Sequence, residues 1–156
     1  MINKQVEKVI PLTVGTVATS ATASASVDTL GFDYTTFDFV LPPATATNSS
    51  AKWGVLQVLE SDATVFSNAT SITNMSGTTN STAATGFVIQ PQNDTTNYQV
   101  TRLFIDTKAH KRYLFVEYES AASHSTCAVM AYLERGNIPP AVDSQRGLNV
   151  NSVVTS

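Results

Sequence analysis

The side chains best suited to catalysis or metal binding are few: His110, His124, Cys127 and 12 carboxylates. His110 falls in a short polar turn, and His124 sits in Ala-Ser-His-Ser, a second turn. Each reads as a solvated loop imidazole rather than a general base or a ligand. Cys127 lies on the apolar side of a strand pattern with nothing near it in sequence to activate it, so it reads as an inert buried thiol. A lone cysteine excludes an intramolecular disulfide and a multi-cysteine zinc site. Asp28, Asp33 and Asp38 recur at intervals of five, and Glu117 and Glu119 share one side of a strand. Calcium needs several oxygens converging on one loop. Asp28 and Asp33 flank a turn while Asp38 lies within a strand, so a solvated face is the better reading. The glycines at 15, 31, 54, 77, 86, 136 and 147 are too scattered to cradle a phosphate, and no Gly-x-Ser-x-Gly elbow is present. The expectation is a chain that is not an enzyme and uses no metal or cofactor.

Two further patterns carry weaker chemistry. Asn-x-Ser/Thr triplets occur at Asn48, Asn68, Asn74, Asn80 and Asn93. Ser and Thr fill about a quarter of the chain, so such triplets arise readily by chance and glycosylation does not follow. Lys108, His110, Lys111 and Arg112 form the one basic cluster. It is too small for a nucleic-acid patch and has no interleaved aromatics. A solvated hairpin tip, or a contact with an acidic protein surface, fits it better.

Composition sets the frame around these residues. The chain has 156 residues, of which 42% are hydrophobic and only 13% charged, with a formal net charge of −3. That length holds one domain with a real core. The charge balance argues against nucleic acid as a partner, and no apolar run is long enough for a membrane helix. The first residues imitate a signal peptide: Lys4 and Lys8, an apolar stretch, then Ala23-Ser24-Ala25. Pro11, Thr13, Gly15 and Thr16 interrupt the apolar stretch, which suits a β segment better.

Strand patterns dominate. Tyr34 to Leu41 places Phe37, Phe39 and Leu41 on one face and Asp38 on the other, and Pro42-Pro43 ends it. Lys52 to Glu60 is a second strand, with Trp53, Val55, Gln57 and Leu59 on one side and Leu56 and Val58 on the other. Gln99 to Asp106 and Tyr113 to Glu119 predict a hairpin joined by Thr107 to His110. Ser125 to Leu133 predicts the last strand, and residues 61–86 a long polar loop with a short element near Val65. No segment shows a helical period. The expected fold is all-β, a β-sandwich, with a jelly roll favoured over an up-and-down barrel. The expected core is Phe37, Phe39, Leu41, Trp53, Val55, Leu103, Ile105, Leu114, Val116, Val129 and Leu133.

The order of segments resembles a known family. Val27-Asp28-Thr29-Leu30-Gly31-Phe32-Asp33-Tyr34 is followed by Leu56-Gln57-Val58-Leu59-Glu60-Ser61-Asp62. Phe104-Ile105-Asp106 then leads to Lys111-Arg112-Tyr113-Leu114, and Ala128-Val129-Met130-Ala131-Tyr132-Leu133 closes the series. This series is similar to the jelly-roll cement (decoration) proteins of tailed bacteriophages. Phe32 and His110-Lys111-Arg112 depart mildly from the family's usual stretches. The resemblance spans residues 27–135 and divides the chain into an N-terminal arm (1–26), a sandwich (27–135) and an extended C-terminal tail (136–156).

The resemblance implies a structural virion protein on the outer capsid surface, with the major capsid protein as partner; the apolar strands at the ends of the chain want a partner as well, and copies of the chain itself are expected, a homotrimer sooner than a homodimer. It implies no nucleic acid and no membrane. The expected contacts are Ile10, Leu12 and Val14 in the arm, Lys108, Lys111 and Arg112 in the basic turn, and Ile138, Pro139, Pro140, Leu148 and Val150 in the tail. An alternative of another class is a tail or spike sandwich that binds host glycans. Sugars stack on aromatic rings, and the loop 61–86 offers only Phe66.

Overall fold

The computed structural model describes residues 6–12, 16–17, 22–41, 43, 53–78, 86–88, 96–120, 125–126 and 128–135. Among these, strands and two short 3-10 turns account for the regular structure, with no α-helix. One sheet contains β1 (Val6–Leu12), β11 (Ala128–Glu134), β4 (Tyr34–Leu41) and β8 (Gln99–Asp106), in that spatial order and all antiparallel. The second contains β3 (Thr22–Asp28), β9 (Tyr113–Ser120), β5 (Trp53–Ser61), β6 (Thr70–Thr78) and β7 (Phe87–Val88). It is antiparallel except for the short parallel pairing of β6 with β7. β2 (Thr16–Val17) and β10 (Ser125–Thr126) form a separate two-residue ladder.

Set β2, β7 and β10 aside and number the eight long strands in chain order. One sheet then reads first, eighth, third, sixth, and the other second, seventh, fourth, fifth. That interleaving is the jelly roll, two Greek keys wrapped around one core. Consecutive long strands mostly lie in opposite sheets, so each inward face must be apolar at alternate positions. Phe37 and Phe39, wholly buried with tilted rings 6.4 Å apart, face Leu103, Ala131 and Val129 from their own sheet. Leu56, Val58, Leu114, Val116 and Tyr118 close the core from the other sheet.

Several expectations change. Phe37, Phe39, Leu41, Leu103, Ile105, Leu114, Val116, Val129 and Leu133 are in the core as the alternation predicts. Val55 is half-buried, and the Trp53 side chain lies outside the described residues. In β5 it is Leu56 and Val58 that face inward, because they stand opposite Tyr118 and Val116 of β9. Both sides of this strand are apolar in sequence, and alternation alone could not choose between them. Leu59 on the other side is still covered, beside Phe115, whose ring meets Phe66 edge-on at 5.8 Å.

The predicted hairpin does not form: β8 and β9 belong to different sheets, and Thr107 to Arg112 crosses between them. The predicted loop 61–86 contains β6, a nine-residue strand. Between Leu59↔Ser71 and Gln57↔Ser76 it carries three more residues than β5, and Asn74 takes a φ of 66° there. A bulge of this kind hides a strand from its alternation. The predicted last strand divides into β10 and β11. Finally, β1 and all but the last two residues of β3 fall within the predicted arm yet belong to the two sheets, so the sandwich begins before residue 27.

Candidate functional site

One end of the sandwich is tied by a polar network where the β8–β9 crossover meets the turn after β3. Asp106 accepts from the Lys108 amide at 3.1 Å and so caps the 3-10 turn Thr107–Ala109. The Thr107 amide donates to the Asp33 carbonyl at 2.9 Å, and its hydroxyl donates to the Phe32 carbonyl. In the facing turn, Asp28 accepts from the Leu30 amide at 3.0 Å and the Phe32 amide donates to the Thr29 carbonyl at 3.0 Å. Gly31, at φ 88°, supplies the left-handed third position that a type II turn requires. Thr29 then donates twice to the Arg112 carbonyl, from its amide at 2.9 Å and its hydroxyl at 2.7 Å.

The basic cluster lies in this network, and each of its side chains meets an acid of its own subunit. Lys108 Nζ is 3.1 Å from Asp33, and His110 Nδ1 is 2.9 Å from Glu60 Oε2, which also accepts from the Lys111 amide. Lys111 Nζ is 4.0 Å from Asp62. Arg112 forks onto Asp28, Nε to Oδ1 at 2.9 Å and Nη2 to Oδ2 at 2.6 Å. Those hydrogen bonds raise the Arg112 pKa above its ordinary value. The turn predicted as a free basic tip is therefore charge-paired within its own chain. Exposed pairs of this kind add little stability each; what they fix is the path of the crossover. The acids reach the bases from the ends of β3 and β5, across a sequence separation that no local pattern reveals.

The outer faces of the two sheets differ. On the five-stranded sheet, Gln57 donates to Glu117 and accepts from Ser76 at 3.1 Å and Ser71 at 3.4 Å. Ser24 and Ser26 continue this polar surface and are exposed. On the four-stranded sheet, Asp38 is buried and held by Arg102. The expectation of a solvated aspartate is thereby corrected: the neighbouring strand supplies a guanidinium that covers it. Beside this pair runs a groove of about 490 Å³ lined by Tyr34, Thr36, Phe104, Asp106, Glu134 and Arg135. The Arg135 guanidinium lies 5.5 Å over the Tyr34 ring, and the Thr36 hydroxyl donates to Glu134 at 3.3 Å. Val100 and Phe104 are the large apolar residues of β8 on this face that are more than half exposed.

Of the predicted contact residues, Leu12 is buried in its own core and Ile10 packs against that core. Pairing with β11 has turned both inward. Val14, Ile138, Pro139, Pro140, Leu148 and Val150 lie outside the described residues, as do His124 and Cys127. Val100, Arg102 and Phe104 were not among the candidates. Their signal is the strict alternation of β8: once Leu103 and Ile105 are inside, Phe104 between them must be outside.

No family model matches the chain, and no curated protein matches it. A solved structure from desmodium yellow mottle tymovirus matches at 8% identity and a TM-score of 0.33, covering 86% of this chain and 90% of that one. A likeness this distant carries no argument; the jelly roll rests on the strand order above.

Proposed function

We propose that this chain is a structural virion protein: a cement (decoration) protein that binds the outer surface of a phage capsid and stabilises contacts between major capsid protein subunits. One observation carries the reading. Two of the five stretches on which the family resemblance rests, Val27 to Tyr34 and Lys111 to Leu114, clasp each other through the Thr29 bonds to the Arg112 carbonyl and the Asp28–Arg112 fork. The signature residues thus serve architecture, which is what a protein that holds a shell together has to specify. The sandwich supplies a rigid body, and one of its outer faces is apolar enough to adhere.

The experiment is to add the purified chain to empty capsids of the phage that encodes it and image the particles. Density on the outer surface and a higher melting temperature of the capsid are the expected results. Particles that gain neither overturn the reading.

A further inference from the structure

Large apolar side chains left in water on one face of a sandwich mark a contact surface. Tyr98, the residue before β8, and Val100 within it are 67% and 54% exposed. Tyr98, Val100 and Arg102 are exposed while Gln99 and Thr101 between them are half-buried, so the three project from one side, outward from the four-stranded sheet. Val40 stands opposite Val100 on β4 and is half-buried, and Met130 flanks Asp38 in the next row. Farther along β8, Phe104 is engaged by its own chain and bounds this surface. The outward side of the five-stranded sheet is instead a hydroxyl and amide surface.

The arrangement is symmetric about Val100. Tyr98 stands two residues before it and Arg102 two residues after it. Reversing the segment about Val100 therefore brings every Tyr98 opposite an Arg102. The Asp38 fork takes one N–H on Nε and one on Nη2, and both bonds lie along the edge of the planar guanidinium. Its flat faces are what an aromatic ring recognises, and the Arg102 side chain is 54% exposed.

We propose that this surface seats a second copy of the chain, with the two β8 strands antiparallel about a two-fold axis at Val100. Val100 packs on the partner's Val100, and Tyr98 of each copy lies over the partner's Arg102. An isologous interface must be complementary to itself, and this sequence of aromatic, aliphatic and cation is. Asp38 already balances the arginine, so closing the contact buries no unpaired charge. The pattern favours a two-fold contact over the three-fold one expected from the sequence, and it does not require a capsid to form.

Sedimentation velocity on the full chain tests it, with thermal melts of every variant. The wild type should sediment as a dimer. Val100→Asp should be monomeric and should melt close to the wild type, since Val100 is not part of the core cluster. Tyr98→Leu keeps bulk but has no π face; two contacts are lost at once, so the dimer should weaken at least about tenfold. Tyr98→Phe should retain it. Ser26→Asp on the opposite face should leave it intact. In a Cys127→Ser background, Val100→Cys treated with a short bis-maleimide should give a 100–100 cross-link identified by peptide mass. A wild type that stays monomeric at the highest attainable concentration overturns the proposal. So does an oligomer that survives Val100→Asp or ignores Tyr98→Leu. If the wild type is monomeric and Val100→Asp instead abolishes capsid binding, the face belongs to the shell and the two-fold contact is wrong, while the cement reading stands.

Discussion

Asp38, 5% exposed, has both carboxylate oxygens gripped by Arg102 from the next strand, Nε to Oδ1 at 2.5 Å and Nη2 to Oδ2 at 2.6 Å. The two residues are direct cross-strand partners between β4 and β8. The pair raises the Arg102 pKa, chiefly through the hydrogen bonds to Asp38. Removing the arginine alone leaves a carboxylate short of water and of its countercharge, which is worse than having neither charge. Arg102→Ala is therefore expected to lower the urea midpoint, and the double variant Arg102→Ala with Asp38→Val to recover part of the loss. A double variant less stable than the single one would show that the pair does not act as a unit.

Phe39 is wholly buried between the sheets. Phe39→Ala should cost about 3–5 kcal/mol, from lost transfer energy and the cavity left behind. Equilibrium urea unfolding measures it. A loss under about 1 kcal/mol would mean that the core closes around the gap or that the ring is not in it.

At Gly31 a Cβ would meet nothing within 4 Å, so space is not the constraint there. The φ of 88° is. Gly31→Ala should destabilise by about 1–2 kcal/mol through backbone conformation alone. Gly31→Asn should lose less, because asparagine tolerates this region better. Equal losses in thermal melts would argue against a conformational origin.

Tyr132 has its pKa raised above 10.0, first by burial and then by the nearby Asp38 carboxylate. The folded state holds this proton more tightly than the unfolded one does. The stabilisation is therefore complete below about pH 10 and falls as pH climbs through the folded value. Urea melts from pH 9 to 11 should show a steeper decline in the wild type than in Tyr132→Phe. Parallel declines would remove Tyr132 from the account.

What could be read from the sequence was what alternation encodes. Phe37, Phe39 and Leu41 announce their strand and its inner face, as do Leu103 and Ile105. Alternation says nothing about which strand lies alongside, so β8 and β9, adjacent in sequence, suggested a hairpin although they lie in opposite sheets. In β5 both sides are apolar, and the choice fell to β9. In β6 the bulge at Asn74 breaks the period, leaving Ile72 and Met75, three residues apart, as the apolar side chains that reach the core from a polar run. The charge pairs were unreadable for another reason: Asp28 and Arg112 are 84 positions apart, and only the crossover brings them together.

The pairing of β1 with β11 also sets the order in which the molecule can be made. Val6 stands opposite Glu134 and Leu12 opposite Val129, so β1 must wait for β11, which is synthesised long after it. β5 and β6 can zip together during synthesis, but the four-stranded sheet cannot close until β11, which lies between β1 and β4, has emerged. Closing such distant contacts is slow, in the range of about milliseconds to seconds for β-sandwiches. Through that interval the amides of β1 and the side chain of Leu12 are open to other nascent chains, which makes crowding on a polysome the most hazardous moment in the life of this fold.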